Sequence, residues 1–228
     1  MAILIIFQTD VKTEKQKIAQ SLLLLKILRE DENIFGRTKL QKQVFLNELR
    51  LIQSNLGGLY YNYFRYNYGP FSSDLFTDFT VLGNRGFLHK TTFKLTERGQ
   101  YLIDYVEGSI KNFKANAKIF EMVESTTRMY RKYNGTELMK MVYRLEVEPD
   151  DMRGQQLQIA NIDTFVNILL PELHKYKHEL EFPTGILEDI KDELAMDQDK
   201  WNSLEETRAD VIKGASRDLM KAVSADPL

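Results

Sequence analysis

Two histidines four residues apart, His174 and His178, are the first spacing in this chain that could do chemistry. On a helix they share a face and can ligate a metal, with Asp163, Glu172 or Glu181 as oxygen donors. The residues between them, Lys175-Tyr176-Lys177, bring two cations that oppose a divalent ion. They also lack the carboxylate that a metalloprotease helix carries there. The pair therefore reads as an exposed helix face, and no metal and no cofactor are expected. Ser72-Ser73 has no His near it in sequence, and none of the three His sits in a catalytic motif. Cys is absent, which removes thiolate catalysis, disulfides and Cys-ligated zinc. Leu56-Gly57-Gly58-Leu59 lacks the Lys and the spacing of a phosphate loop. No nucleophile–base pair is legible, so the sequence predicts a protein that is not an enzyme.

Binding chemistry is the other class to test. The 228 residues carry 31 Lys+Arg and 33 Asp+Glu, a net charge of −2, so nothing draws the whole chain toward nucleic acid or anionic lipid. The apolar and charged fractions, 43% and 28%, are those of an ordinary globular protein. Ala2 to Phe7 is apolar but short and has no basic flank, which argues for an arm on the core and against a signal peptide. Nothing approaches the roughly 20 apolar residues of a membrane span, and a cytoplasmic location is expected. The charge is uneven, however. Residues 1–110 are net +3 and residues 111–228 net −5, with the acidic excess concentrated from Ile186 onward.

The elements that must position any site follow from periodicity. Thr13 begins a capping box before Ile18, Leu22, Leu25 and Leu28, and Thr38 repeats the pattern before Leu40, Val44, Leu49 and Ile52. The Tyr-rich run from Leu59 to Tyr68 favours a strand, stopped by Gly69-Pro70. Ser72-Ser73 caps a third helix with Leu75, Phe76, Phe79 and Leu82 inward. Phe87-Leu88 and Thr92 to Leu95 read as two short strands about a polar turn, and Thr96 caps a closing helix. Farther on, Ile110 to Met129 suits one long helix, Glu137 to Leu145 another, and Asp163 caps a helix that meets Pro171. Ile186 to Val223 is read as a single long amphipathic helix. The expected fold class is mainly α with a small β ribbon. It comprises a winged helix-turn-helix-like domain with an N-terminal arm over 1–107, and a helical extension ending in an acidic helix over 108–228.

In such a domain the third helix would read DNA, yet its outward positions, Ser73, Asp74, Thr77, Asp78 and Val81, are acidic and hold no Lys or Arg. Carboxylates against phosphates oppose binding. Basic residues lie elsewhere, at Arg37, Lys39 and Lys42 near the second helix and at Arg85, His89, Lys90 and Lys94 around the wing. These are the candidate DNA contacts, weighed against a merely solvated surface. The Tyr-rich run is read as half-buried packing ahead of a base-stacking platform. For a protein partner the candidates are Asp74 and Asp78 on the third helix, and Trp201, Leu204 and Ile212 on the C-terminal stripe, which could equally pack back on its own domain.

Two pieces of the chain also resemble a known family. Lys39-Leu40-Gln41-Lys42 with Val44-Phe45-Leu46, followed by Tyr66-Asn67-Tyr68-Gly69-Pro70-Phe71-Ser72 with Leu75 and Gly86, is similar to the YwgA-like and Panacea (SocA-like antitoxin) proteins. The resemblance covers about residues 13 to 107. It implies a small winged-helix-like module without catalytic residues, similar to antitoxins that neutralise a toxin by direct contact. The functional expectation is a non-enzymatic protein-binding module, antitoxin-like or regulatory, with a homo-oligomer as a further option. The alternative is a DNA-binding transcriptional regulator contacting DNA through the wing and second-helix basic residues.

Overall fold

The computed structural model describes residues 11–171, 173, 175–203 and 206. It is mainly helical with a small antiparallel sheet, as the periodicity leads one to expect. Helix α1 spans Glu14–Glu30, and its start is the predicted capping box: Thr13 accepts from the Gln16 backbone N–H while the Gln16 side chain accepts from Thr13 N–H. Leu22 to Leu25, Ile27 and Leu28 are all buried, so α1 is surrounded on every side and forms the axis of the core. Helix α2 (Arg37–Gln53) lies beside it and packs against α5 (Lys114–Tyr130) and α6 (Gly135–Val142). Its cap is Gly36, not Thr38, because the Gln41 side chain that would close a capping box is used elsewhere.

The Tyr-rich run behaves differently from the expected single strand. Only Tyr63–Tyr66 form β1, and Gly69–Phe71 do not stop the strand but return beside it as β2, pairing Phe64 with Phe71 and Tyr66 with Gly69. Pro70 is tolerated because β2 lies at the edge of the sheet, where its missing N–H costs no ladder bond. The third strand, β5 (Asn167–Leu169), pairs on the other side of β1. That corrects the helix expected after Asp163. Phe165 adopts φ 69°, a turn conformation, and the aliphatic residues after it pair with β1. A two-residue ribbon, β3 (Glu146–Val147) with β4 (Leu157–Gln158), completes the strands described.

Helix α3 (Ser73–Asn84) is capped by Ser72 as expected. The wing-like turn that follows contracts to one antiparallel bridge, Leu88 with Leu95, before Thr96 caps α4 (Glu97–Ile110). Gly99 lets α4 approach this turn: a Cβ there would lie 2.1 Å from the Phe87 carbonyl oxygen. The long helix expected from Ile110 to Met129 is divided between α4 and α5, with the Asn116 amide closing the joint on Ile110 O.

At the C-terminal end, α7 (Ile186–Ala195) stops at Met196, whose ψ of 136° is extended, and Asp197 caps a new turn at Lys200. The single helix expected from Ile186 is therefore interrupted within the described residues. Ile190 and Leu194 are buried in the same cluster as α1 and α4. The boundary expected between 107 and 108 falls inside α4, and helices from both sides of it share one core. Among the described residues no helix is long and apolar enough to cross a membrane.

Candidate functional site: a basic and aromatic cleft

The two motifs that carry the family resemblance meet in space. On α2, the Gln41 side-chain amide donates to Ser72 O (2.8 Å) and accepts from Ser72 N–H (2.9 Å), as one more strand residue would. One residue on, the Lys42 ammonium donates to Pro70 O at 2.8 Å. Lys39 reaches the other way, to the Asp31 carboxylate (2.9 Å) and to the carbonyls of Asn33 and Arg131. Neither lysine is the solvated surface cation expected from the sequence: Lys39 is closed in, and Lys42 reaches only the cleft described below. Lys39 and Lys42 are 4% and 2% exposed, their ammonium groups tying the α1–α2 loop and the β2 edge to the core. The Tyr143 hydroxyl donates to Asn67 O (2.7 Å), fixing the hairpin turn to the end of α6.

These bonds hold open a cleft of about 520 Å³ between the start of α2, the hairpin and the start of α3. Arg37, Thr38, Gln41 and Lys42 form one wall, and Tyr66, Tyr68, Phe71 and Phe76 the other. The rings continue beyond the cleft. Phe76 stacks on Phe71, which touches Phe64 and Tyr66, and both of those touch Phe165. Tyr68 is 63% and Phe165 70% exposed, so this aromatic face meets solvent. The Arg37 guanidinium sits 5.0 Å from the Phe76 ring centre. Burial holds the Lys42 ammonium well below its usual value, at about 7, with no carboxylate among the described residues to offset it. Phe165 is the part sequence reasoning missed. It arrives through β5, about a hundred residues after the hairpin, and only the strand pairing brings it there.

Beneath the cleft the rest of the Tyr run is interior, in line with half-buried packing. Tyr60, Tyr61 and Tyr63 are buried. The Tyr60 hydroxyl donates to Glu179 and that of Tyr61 to Asp78. Glu48 is also buried: one of its carboxyl oxygens accepts from Tyr61 N–H at 2.8 Å and the other has no partner among the described residues. Burial pushes the Glu48 carboxyl far above the ordinary value, and the Tyr61 and Tyr63 phenols up as well.

The other expected contacts scatter. Asp78 does not face outward: its carboxylate accepts from Gln20 (2.5 Å) and Tyr61, because α3 sets it against α1. Asp74 is half-buried, 3.7 Å from the Lys12 ammonium. Arg85, His89, Lys90 and Lys94 are all exposed around the wing-like turn, with Arg85 donating to Leu194 O and Lys90 to Asn84. Trp201 lies by that turn, its ring centre 5.8 Å from the Arg98 guanidinium. Arg98 is the buried clasp of this end. It donates to Glu193 Oε1 and O, to Met196 O and to Arg85 O, with its plane over Phe87. Leu204 and Ile212 lie outside the described residues, as does His174. His178 is not on a helix: it bridges Leu56, and its carbonyl accepts from Gly57 N–H.

Neither a family model nor a solved structure matches the chain. Over 168 residues it is 23% identical to the uncharacterized protein YwgA of Bacillus subtilis (strain 168), a stretch covering 69% of this chain and 94% of that protein. The relation is YwgA-like, at an identity that leaves the function to be argued from the cleft.

Proposed function

We propose that this chain is a non-enzymatic protein-binding module, antitoxin-like or regulatory, which meets its partner through the aromatic cleft of α2, the hairpin and α3. One observation carries the reading: five rings linked by successive contacts, Phe76, Phe71, Phe64, Tyr66 and Phe165, form one partly exposed surface that runs out from an open cleft. Contiguous exposed aromatic surface is unusual on an isolated domain and characteristic of interaction sites, where Tyr and Arg supply much of the binding energy. The finer kinship to Panacea antitoxins and to winged helices is part of this proposal. The contact between the K-L-Q-K and Y-G-P-F-S residues and the turn closed by Leu88 and Leu95 support it.

The test is co-purification from the native cells with tagged parent and with a Tyr68→Ser/Phe165→Ser variant. Both positions are exposed, so the fold should survive. A protein that is retained by the parent and released by the folded variant is the expected result. A DNA-binding regulator is the second reading, favoured by four exposed basic residues within ten positions, Arg85 to Lys94. Sequence-specific, salt-dependent DNA binding that Lys90→Glu/Lys94→Glu abolishes and the aromatic variant leaves intact would replace the first reading with the second.

A further inference from the structure

The chemistry of the cleft wall narrows what the partner must present. Among the described residues its two ionisable side chains other than tyrosines are the cations Arg37 and Lys42, and no carboxylate lines it. Lys42 is a buried amine lining the cleft whose hydrogen-bond partner among the described residues is one neutral carbonyl, which leaves it donors to spare when protonated. Buried charge of this kind is stable when an opposite charge reaches it. Arg37 lies at the first turn of α2, over the Phe76 ring, and the α2 N-terminus has no side-chain cap.

The space is also elongated. Past Thr38 and Tyr68, which line both, the cleft runs into a second depression of about 360 Å³ bounded by Asn134, Thr136 and Met139 at the start of α6. A groove of that form takes an extended segment rather than a compact molecule. One exposed and one buried cation suit a single negative charge better than a string of phosphates.

We propose that the groove seats an extended peptide segment of the partner in which one carboxylate lies beside an aromatic or aliphatic side chain. The carboxylate meets Arg37 and Lys42, and the apolar side chain rests on Phe71, Phe76 and Tyr66. This assignment rests on the protein-binding reading above and adds to it the chemistry of the bound segment. Complementary charge then sets which segment is accepted, while the rings contribute the contact area.

The experiment uses the full chain and three fluorescein-labelled probes: an octapeptide with one Glu flanked by Phe and Leu, the same peptide with Gln for Glu, and a 5′-phosphorylated octanucleotide. Fluorescence anisotropy should give a Kd for the Glu peptide at least about tenfold below that of the Gln peptide. Arg37→Gln, at an exposed position, should weaken the Glu peptide by about fivefold or more and leave the Gln peptide unchanged, with Arg37→Lys recovering part of the loss. Lys42→Met should remove the preference for Glu in protein that still melts cooperatively. Equal binding of the two peptides, abolished by Tyr68→Ser/Phe165→Ser, would overturn the carboxylate assignment and leave the protein-binding reading standing. No binding of either peptide up to about 1 mM overturns the assignment, and the co-purification then decides the reading alone. Binding of the octanucleotide only overturns both.

Discussion

Lys42 and Glu48 lie six residues apart on α2, both buried, and burial drives their proton affinities in opposite directions. For Lys42 the folded value of about 7 lies below the unfolded one, so folding sheds a proton between pH 7 and about 10.5. Below pH 7 both states are charged and the fold carries the whole cost of burying the ammonium. Through the window that cost fades, by at most about 1.4 kcal/mol per pH unit. Lys42→Met should therefore gain stability over the parent most at pH 6 and progressively less toward pH 10, less a constant loss of about 1 kcal/mol for the unpaired Pro70 carbonyl. Urea unfolding across that range measures it, and a gain independent of pH would contradict the assignment. Glu48 runs the other way. Its folded value is raised, so the fold holds a proton that the unfolded chain releases above about pH 4.5, and stability falls as pH rises beyond that. Glu48→Gln keeps the acceptor for Tyr61 N–H and cannot ionise. Its advantage over the parent should grow from pH 5 to pH 8, as thermal melts at each pH will show.

At the scale of elements, the hairpin and the α7 clasp depend on one residue each. Gly69 has φ +88°, a left-handed conformation that a β-branched residue resists, while a Cβ there would meet Lys42 only at ordinary contact distance, 3.5 Å. Gly69→Val should thus cost about 1–3 kcal/mol through the backbone rather than through crowding, as urea unfolding will show. Arg98 holds the last carbonyls of α7 and the Glu193 carboxylate in one planar fork, with the cation at the favourable end of the helix dipole. A lysine cannot make those bonds together. Arg98→Lys should destabilise the protein by about 2–4 kcal/mol, shift the emission of the single tryptophan to the red and speed amide exchange in α7 ahead of α2. Unchanged exchange in α7 would show that the clasp does not hold it.

For the molecule as a whole, the apolar residues at the start of the C-terminal stripe belong to the interior. Ile190 and Leu194 close the core over α1 and α4, so removing residues from Ile186 onward uncovers apolar surface that no other element replaces. The truncated chain should unfold or bind a hydrophobic dye. If the shorter chain without α7 melted cooperatively at the parent temperature, the stripe would be free for a partner instead. One connected core also explains why α2 can be so polar. Gln41, Lys42, Gln43, Asn47 and Glu48 are buried because elements from both halves of the chain close over them.

Local pattern was enough for α1, its capping box and the Ser72 and Thr96 caps, because caps and helix faces are settled within a few residues. It was not enough wherever a partner distant in sequence decided the outcome. Asn167 to Leu169 is a strand only because β1 offers it an edge, and Gly69-Pro70 continues a sheet only because Phe64 to Tyr66 lies beside it. Lys39 and Lys42 read as surface cations and become internal ties because carbonyls from β2 and from the end of α5 reach them. The sequence by itself determined where α1, α3 and α4 begin and which of their residues face the core. The tertiary structure decided which polar side chains are spent inside and which rings remain on the surface, since charge and aromaticity are properties of a residue but exposure is a property of its neighbours.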